Sequence, residues 1–401
     1  MRITKLFLFF SYISLFIWST PLLSAENVAR EKGTTNSLLN FSKSEISTIV
    51  SFGPWPIKIV KDPSNLASQN PAAIRFGKQL FFDAGLSKNK NLSCASCHQV
   101  ENHFADKLAV GFGIEALERN TPSLFNIGGQ RWFGWGGESD SLWSHSIRPL
   151  LSVQEMATSD IDIQNYLLSN KSYQQTYFEV FGKSPENETA EQVLVNITKA
   201  LAAYQETLIT PRVAFDEFRD AIAQNDMEKA AQYPIEAQRG LKIFIGKGKC
   251  QLCHFSAKFS SGEFADIGIP FFTQSGVDSG RYLAIKALID SPFNLLGPYN
   301  DSNKTDNQQK VISTQFVRLL PKNWGEFKVP SLRGIVHTSP YMHNGSLETL
   351  EDVINHYSTV SDDRIHSDGE RIIQALNLSQ QEVNDLISFL TTLSAPSTHM
   401  K

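Results

Sequence analysis

Two short cysteine-histidine motifs constrain this chain more than any other feature. They are Cys94-Ala95-Ser96-Cys97-His98 and Cys250-Gln251-Leu252-Cys253-His254, and they contain all 4 cysteines of the 401-residue sequence. Two thiols at this spacing can add to the two vinyl groups of one porphyrin, and the histidine that follows is then placed to bind its iron. The motifs therefore predict two covalently attached c-type haems.

Other uses of the cysteines fit less well. Two Cys-x-x-Cys pairs can share one zinc ion, but such pairs usually lie about 15 to 20 residues apart, and these motifs are much farther apart. A thioredoxin-like pair would need a βαβ context, which neither motif has. A disulfide within each motif would be poorly placed and would leave both histidines unexplained.

The N-terminus has the pattern of a secretory signal. Arg2 and Lys5 precede the apolar run from Leu6 to Trp18, and Ala25 offers a small residue for cleavage. We predict a signal peptide over residues 1–25 and export to the periplasm, where c-type haem is attached. The apolar run is short for a membrane span, and an uncleaved anchor of about 17 residues stays open as an alternative. No later stretch is long and apolar enough to cross a membrane.

Length and charge limit the remaining possibilities. The mature chain is long enough for two domains, and two haem motifs suggest one haem in each. We predict an all-α fold with an N-terminal haem domain over residues 26–215 and a C-terminal haem domain over residues 216–401. A net charge of −4 gives no basic field that would attract nucleic acid.

An internal repeat supports the two domains. Residues 71–81 parallel residues 234–244, with a proline, a glycine and a terminal apolar-Phe pair in register, and each copy precedes one motif. The pattern predicts two short helices, in which Gly77 and Gly240 allow another backbone or the porphyrin to approach closely. A chance match of two amphipathic helices remains the simpler alternative.

Capping patterns predict two further helices. Thr189 with Gln192, and Ser379 with Glu382, each precede apolar residues at helical spacing. Residues 215–233 are predicted as a connection between the domains. The polar segment from Asp278 to Lys310 contains two prolines and is predicted as a long loop.

Several further segments resemble one family. They are Arg119 to Leu124, Phe133 to Gly137 with Ser141 and Leu142, Pro149 with Glu155 and Met156, Val329 to Arg333, and Pro340 to Leu347. With them, residues 70–393 resemble the bacterial di-haem cytochrome c peroxidases and their relative MauG. The resemblance implies two cytochrome-c-like domains, a peroxide-reactive haem in the first and an electron-transfer haem in the second.

For the first haem, the resemblance implies His98 as proximal ligand and Glu155 in the distal pocket. A carboxylate there can carry a proton between the two peroxide oxygens. His145 stands where relatives commonly have glutamine. It could donate a hydrogen bond to peroxide, bind the iron, or simply form a hydrogen bond with the backbone. His103 is a less favoured ligand, because the following loop would have to fold straight back. Relatives that need activation carry a loop histidine with no clear counterpart here, which favours an open first iron.

Trp135 is similar to the tryptophan that lies between the two haems of relatives, with an ordinary core tryptophan as the alternative. Trp132 and Trp143 are better explained by packing or by a surface route to a partner. For the second haem, Tyr357 corresponds to the axial tyrosine of MauG, where classical peroxidases have methionine. A core tyrosine is the alternative, and Met342 and His343 are reserve ligands.

The resemblance also implies a calcium ion between the domains, held by the Asn120 side chain and the carbonyls of Thr338 and Pro340. Two kinds of function follow. The chain is expected to be a peroxidase-type enzyme that uses hydrogen peroxide, with a small cytochrome or copper protein as donor, or with a protein substrate oxidised at an aromatic side chain. Its Trp135 and 141–143 region resembles the tryptophan-modifying subgroup of copper-peptide (methanobactin) biosynthesis. The alternative is a di-haem cytochrome that only transfers electrons.

Overall fold

The computed structural model describes residues 37–270, 272–273, 276–302, 308–360 and 373–396. The predicted signal peptide lies outside these residues. The regular structure is mostly helical, which agrees with the predicted fold class. The α-helices are α1 (Lys43–Ser51), α2 (Pro71–Phe82), α3 (Cys94–Cys97), α4 (Leu142–Leu151), α5 (Asp160–Ser169), α6 (Lys171–Phe181), α7 (Ala190–Gln205), α8 (Ala214–Ala223), α9 (Met227–Ala230), α10 (Ile235–Ile245), α11 (Arg281–Asp290), α12 (Gln308–Gln315), α13 (Leu350–Thr359) and α14 (Gln380–Thr391).

The described strands are two residues long and form two antiparallel ladders. Strand β1 (Phe264–Ala265) pairs with β4 (Phe327–Lys328), so that Phe264 faces Lys328. Strand β2 (Phe272–Thr273) pairs with β3 (Gly276–Val277). The first ladder matters for the site, because it joins the segment after the second cysteine motif to the segment that carries Lys328.

Two glycines allow two pairs of helices to cross at very close range. A Cβ atom on Gly77 of α2 would collide with the carbonyl oxygen of Ala200 in α7. A Cβ atom on Gly240 of α10 would collide in the same way with the carbonyl oxygen of Asp385 in α14. The predicted role of the two glycines is therefore confirmed, and the approaching group is the backbone of another helix. The repeat gives each half of the chain the same helix crossing.

Hydrophobic packing falls into two main clusters. The first is built from α2, α4, α5, α6, α7 and the loops between them, with Phe76, Trp143 and Tyr177 fully buried. The second is built from α8, α10 and α14 around Phe215 and Phe389. Helix α1 belongs to the second cluster through Ile49 and the following Phe52, although it lies at the start of the described chain. Such a contact between distant segments has no signature in the local sequence.

The predicted connection over residues 215–233 is helical and contributes to the core. Helices α8 and α9 occupy most of it, and Phe215, Phe218 and Tyr233 are buried in the second cluster. The two predicted capped helices are confirmed. The hydroxyl of Thr189 accepts from the backbone N–H of Gln192 at the start of α7, and Ser379 and Glu382 form a reciprocal capping box at the start of α14.

The long loop predicted from Asp278 to Lys310 is wrong over part of its length. Helix α11 occupies Arg281–Asp290, and Lys310 lies inside α12. Helix α11 begins after Gly280, without a side-chain cap, and it buries a charged residue, Arg281, at its start. The Arg281 guanidinium donates to the carbonyls of Gly136 and Gly137, at 3.0 and 2.8 Å. This helix depends on a long-range contact and not on a local pattern. Within the described residues, no helix is both long and apolar enough to span a bilayer.

We expect Gly77→Ala and Gly240→Ala each to lower the free energy of unfolding by about 2 kcal/mol, because the added methyl group forces the paired helices apart. Urea unfolding followed by circular dichroism measures the change. Lys78→Ala, on the exposed side of α2, is the matched control and should stay within about 0.5 kcal/mol of the parent. Parent-like stability of both glycine variants would contradict the close crossings.

Candidate functional site

The first cysteine motif forms one helical turn that ends at its histidine. Helix α3 spans Cys94–Cys97, and the backbone N–H of His98 donates to the Cys94 carbonyl at 2.9 Å. The Nδ1 of His98 lies 2.9 Å from the carbonyl oxygen of Phe104. Because a carbonyl only accepts, Nδ1 carries the proton, and Nε2 is left as the ligating nitrogen.

The second motif has the same arrangement. A 3-10 turn spans Cys250–Leu252, and the backbone N–H of His254 donates to the Cys250 carbonyl at 2.9 Å. The Nδ1 of His254 donates to the carbonyl of Phe259 at 3.0 Å. Both imidazoles are therefore fixed in the same tautomer by a backbone oxygen.

The loop that presents each acceptor carbonyl has a left-handed turn and a hydrogen bond from a serine. Phe104 and Phe259 adopt left-handed φ values of +56° and +52°, and both side chains are buried. The Ser123 hydroxyl donates to the carbonyl of His103 at 2.5 Å, one residue before Phe104. The Ser331 hydroxyl donates to the carbonyl of Lys258 at 2.7 Å, one residue before Phe259. The two Pro-Ser-Leu segments of the sequence thus clamp the two histidine loops.

These residues fit a covalent haem at each motif. All four cysteines are free thiols in the structure. Burial raises the pKa of Cys94 and of Cys250 to about 12, so both side chains are protonated thiols. Burial also lowers the pKa of His98 and of His254, so both imidazoles are neutral, as an iron ligand must be. Among the described residues, no cluster of three or more His, Cys, Asp or Glu side chains is arranged to hold a metal ion.

Glu155 lies beside the first motif. The segment 112–115 runs along residues 154–155, with Ile114 N–H donating to the Glu155 carbonyl and Glu115 N–H to the Gln154 carbonyl, both at 3.0 Å. The Cys97 Sγ lies 3.5 Å from the carbonyl of Phe112 in the same segment. Burial raises the pKa of Glu155, although Arg148 and the Ser152 hydroxyl oppose the rise. The carboxyl is thus held near the thiols of the first motif with a raised affinity for a proton.

His145 is half-buried on α4, and its buried Nδ1 atom has no hydrogen-bond partner among the described residues. Burial lowers its pKa to about 3; Arg148 adds to the fall, and Glu138 opposes it. The positive charge that His98 would carry also lowers the pKa of His145, which requires the two rings to be near each other. His145 is therefore a neutral imidazole near the first motif with an unused polar atom.

A network of ion pairs, which the sequence did not reveal, borders His145. Arg119 pairs with Glu138 and donates to both oxygens of Asp278, at 2.6 and 2.7 Å, and Arg148 lies 3.3 Å from Glu138. Burial opposes the ionisation of Glu138, but Arg119 and Arg148 outweigh it and lower its pKa to about 2. Arg119 belongs to a motif segment, yet its partner Asp278 lies far along the chain, so only the fold identifies the network.

Trp135 joins three segments of the site. Its Nε1 donates to the carbonyl of Asn120 at 2.8 Å, and its own carbonyl accepts from the N–H of Lys328 at 2.7 Å. Asn120 N–H donates to the carbonyl of His343 at 2.7 Å, which brings the loop containing Thr338 and Pro340 next to Asn120. The Asn120 Nδ2 donates to the carbonyl of Leu108, so the side-chain oxygen of Asn120 is not used in this bond. Calcium at this position remains a prediction.

Tyr357 lies on α13, close to the second motif. Burial raises the pKa of its phenol, and the Cys250 and Cys253 thiols raise it further. The neighbouring His356 donates through Nε2 to the carbonyl of Ile267 at 2.8 Å, which fixes this face of the helix. Of the reserve ligands, His343 stacks on Phe327 with ring centres 3.5 Å apart, and Met342 has a left-handed φ of +76°.

The loop after His98 does fold straight back, because Gln99 pairs with Ala105 across it. His103 stacks on His337 with ring centres 3.8 Å apart. Trp143 is fully buried and donates to the Ser64 hydroxyl at 3.2 Å, which agrees with its predicted packing role. Trp132 is buried beneath the Arg281 guanidinium, 4.5 Å from its ring centre.

Comparisons with known proteins agree with this arrangement. The profile of the di-haem cytochrome c peroxidase family matches residues 71–224. The methylamine utilization protein MauG of Methylorubrum extorquens is 32% identical over 327 residues, which cover 81% of this chain and 79% of the relative. A cytochrome c peroxidase of Pseudomonas sp. is 29% identical over 81% of this chain and 82% of its own length.

Solved structures are similar over most of the chain. A MauG-like protein associated with microbial copper homeostasis superposes with a TM-score of 0.60 at 25% identity, covering 85% of this chain and 95% of that protein. A di-haem peroxidase of Burkholderia thailandensis shares the fold with a TM-score of 0.65 at 20% identity, covering 85% of this chain and 90% of that one. With the two cysteine-histidine turns and the sequence relatives, these matches show that the chain belongs to the di-haem cytochrome c peroxidase and MauG family of peroxidase-type oxidoreductases.

Proposed function

We propose that this protein is a periplasmic oxidoreductase that reduces hydrogen peroxide at its first haem and draws electrons through its second haem from a protein partner. The observation that carries the proposal is the position of Glu155, a half-buried carboxyl of raised pKa held beside the first cysteine motif. A structure that only carried electrons would have no need of a proton-binding group there. The overall reaction joins one peroxide, two protons and two electrons to give two waters.

The residues of each motif would hold one haem, and the chain would divide into haem domains over residues 26–215 and 216–401. Cys94 and Cys97 would form the thioethers of the first haem, with His98 as its ligand. Cys250 and Cys253 would attach the second haem, with His254 and Tyr357 as ligands. When bound, each haem would supply an iron that accepts and donates single electrons, and no second protein ligand is proposed for the first.

Glu155 and His145 would manage the protons. The Glu155 carboxylate would accept a proton from one oxygen of peroxide and return it to the other oxygen, which departs as water. Arg148 favours the ionised carboxylate, because its positive charge opposes the rise in the pKa of Glu155. His145, neutral at physiological pH, donates or accepts one hydrogen bond to orient the peroxide. The segment 112–115 is hydrogen-bonded to the backbone of residues 154–155 and so helps to position Glu155.

Trp135 would link the two haem sites, because it is bonded both to the Asn120 segment and to Lys328. The electrons come from a protein, either a small cytochrome or copper protein, or a substrate oxidised at an aromatic side chain. The relatives named MauG and the copper-associated MauG-like protein favour a protein substrate, and Tyr357 in place of methionine supports the same choice. Calcium at Asn120, Thr338 and Pro340 would hold the Trp135 region in place.

We expect Glu155→Gln to lower kcat/KM for hydrogen peroxide by about 10²- to 10⁴-fold, because the amide cannot carry the proton. Steady-state peroxide consumption with a reduced donor measures the loss. Glu115→Gln, an exposed residue of the neighbouring segment, is the control and should retain parent activity. A fully active Glu155→Gln enzyme would exclude the assigned role.

The same pair of enzymes tests the raised pKa. Because the carboxylate is the active form, kcat/KM of the parent should fall as the pH falls through the pKa of Glu155, at a pH above the ordinary value of 4.5. Glu115→Gln should show the same acid limb. If the residual activity of Glu155→Gln keeps that limb, another group is responsible for it.

We expect Tyr357→Phe to change the visible absorption spectrum of the second haem, because the iron loses its phenolate ligand. Tyr166→Phe, which removes a hydroxyl bonded to Asp83, should leave the spectrum unchanged. Identical spectra of Tyr357→Phe and the parent would rule out Tyr357 as a ligand and return attention to Met342 and His343.

A further inference from the structure

Two lysine side chains converge on the loop 128–132 without an acidic partner. The Lys258 ammonium donates to the carbonyl of Gly128 at 2.5 Å. The Lys328 ammonium donates to the Gln130 side-chain oxygen at 2.6 Å and to the Trp132 carbonyl at 3.3 Å. Within the described part of the chain, no carboxylate oxygen is paired with either ammonium at 4 Å or less.

The two ammonium groups are partly desolvated and repel each other. Burial lowers the pKa of each lysine to about 8. Lys310 adds to the fall in pKa for Lys258. For Lys328, Glu138 opposes the effect of burial, and Lys258 adds a smaller fall. Neutral carbonyl and amide oxygens replace only part of the lost hydration of two cations. Both ammonium groups therefore bond only to neutral oxygens within the described residues.

Both lysines are tied to the haem-binding parts of the chain. The carbonyl of Lys258 accepts from Ser331, and the next residue, Phe259, orients His254. The backbone N–H of Lys328 donates to Trp135, and the charge of Lys328 also acts on His145. One lysine therefore lies on the loop of the second motif, and the other lies beside Trp135.

We propose that Lys258 and Lys328 form a binding site for the propionate carboxylates of the haem groups, at the junction between the two motifs. A porphyrin whose vinyl groups are consumed by cysteines keeps two carboxylates, which are the negative charges that this site lacks. An ammonium group binds such a carboxylate as a charge-assisted hydrogen bond. The inference rests on the proposed function only in requiring haem at both motifs.

A functional consequence follows from the charges. A cation near a haem stabilises its reduced form, which carries one more negative charge than the oxidised form, and so makes the haem easier to reduce. Lys328 would also hold a haem carboxylate and Trp135 in one rigid unit, because its side chain binds the first and its backbone N–H the second. The two lysines are thus positioning residues that set the reducibility of the haems.

The test is an anaerobic redox titration of the di-haem protein, without peroxide, in which visible absorbance reports the reduction of each haem. At the potential where a haem is half reduced in the parent, we expect Lys258→Met and Lys328→Met to lower the ratio of reduced to oxidised haem by about tenfold for at least one haem, because one nearby positive charge is lost. Lys258→Arg and Lys328→Arg keep the charge and should stay within about twofold of the parent.

Lys229→Met is the matched control for the loss of a lysine, because Lys229 is exposed and pairs with Glu217 away from both motifs. If Lys328→Met does not accumulate, Lys258→Met carries the test alone, since its ammonium has a single hydrogen bond to lose. Ratios equal to those of Lys229→Met for both haems would overturn the proposal. Because no peroxide is used, this result is independent of the activity of Glu155→Gln.

Discussion

Two hydrogen bonds of nearly equal length fix the site on which the function depends. In each motif the histidine Nδ1 donates to a phenylalanine carbonyl, at 2.9 Å for His98 and 3.0 Å for His254. Each carbonyl belongs to a residue in the left-handed backbone region, and a serine hydroxyl from a distant segment donates to the carbonyl of the residue before it. Without these bonds the imidazole could rotate or change its tautomer, and a ligating Nε2 would not be guaranteed. The helix crossings at Gly77 and Gly240 give each turn the same support.

The two halves of the chain share this scaffold but surround it differently. Near the first motif lie a carboxyl of raised pKa and a neutral imidazole with an unused nitrogen, Glu155 and His145. Near the second motif lies a phenol, Tyr357, whose pKa is raised by burial and by the neighbouring thiols. The first environment suits proton transfer to a small oxidant, whereas the second offers a ligand that would close an iron. The proposed peroxidase chemistry depends on this difference between similar turns.

The sequence predicted what depends on short-range spacing. The two motifs, the crossing glycines and the capped helices α7 and α14 could be identified because each is specified by residues within one or two helical turns. Helix α11 was missed, because it begins at an uncapped glycine and depends on Arg281 reaching the carbonyls of Gly136 and Gly137. Long-range pairing likewise hid the contact of Arg119 with Asp278 and the packing of α1 against the second cluster.

In the proposed function the two irons differ: the first can accept an external ligand, and the second is closed to one by Tyr357. The most direct measurement is a titration of the fully oxidised di-haem protein with cyanide, followed by absorbance, which counts the irons that accept an external ligand. With one open iron, we predict that one equivalent of cyanide binds per chain. No binding would mean that both irons are closed and that the protein only transfers electrons, and two equivalents would show that Tyr357 does not close the second iron.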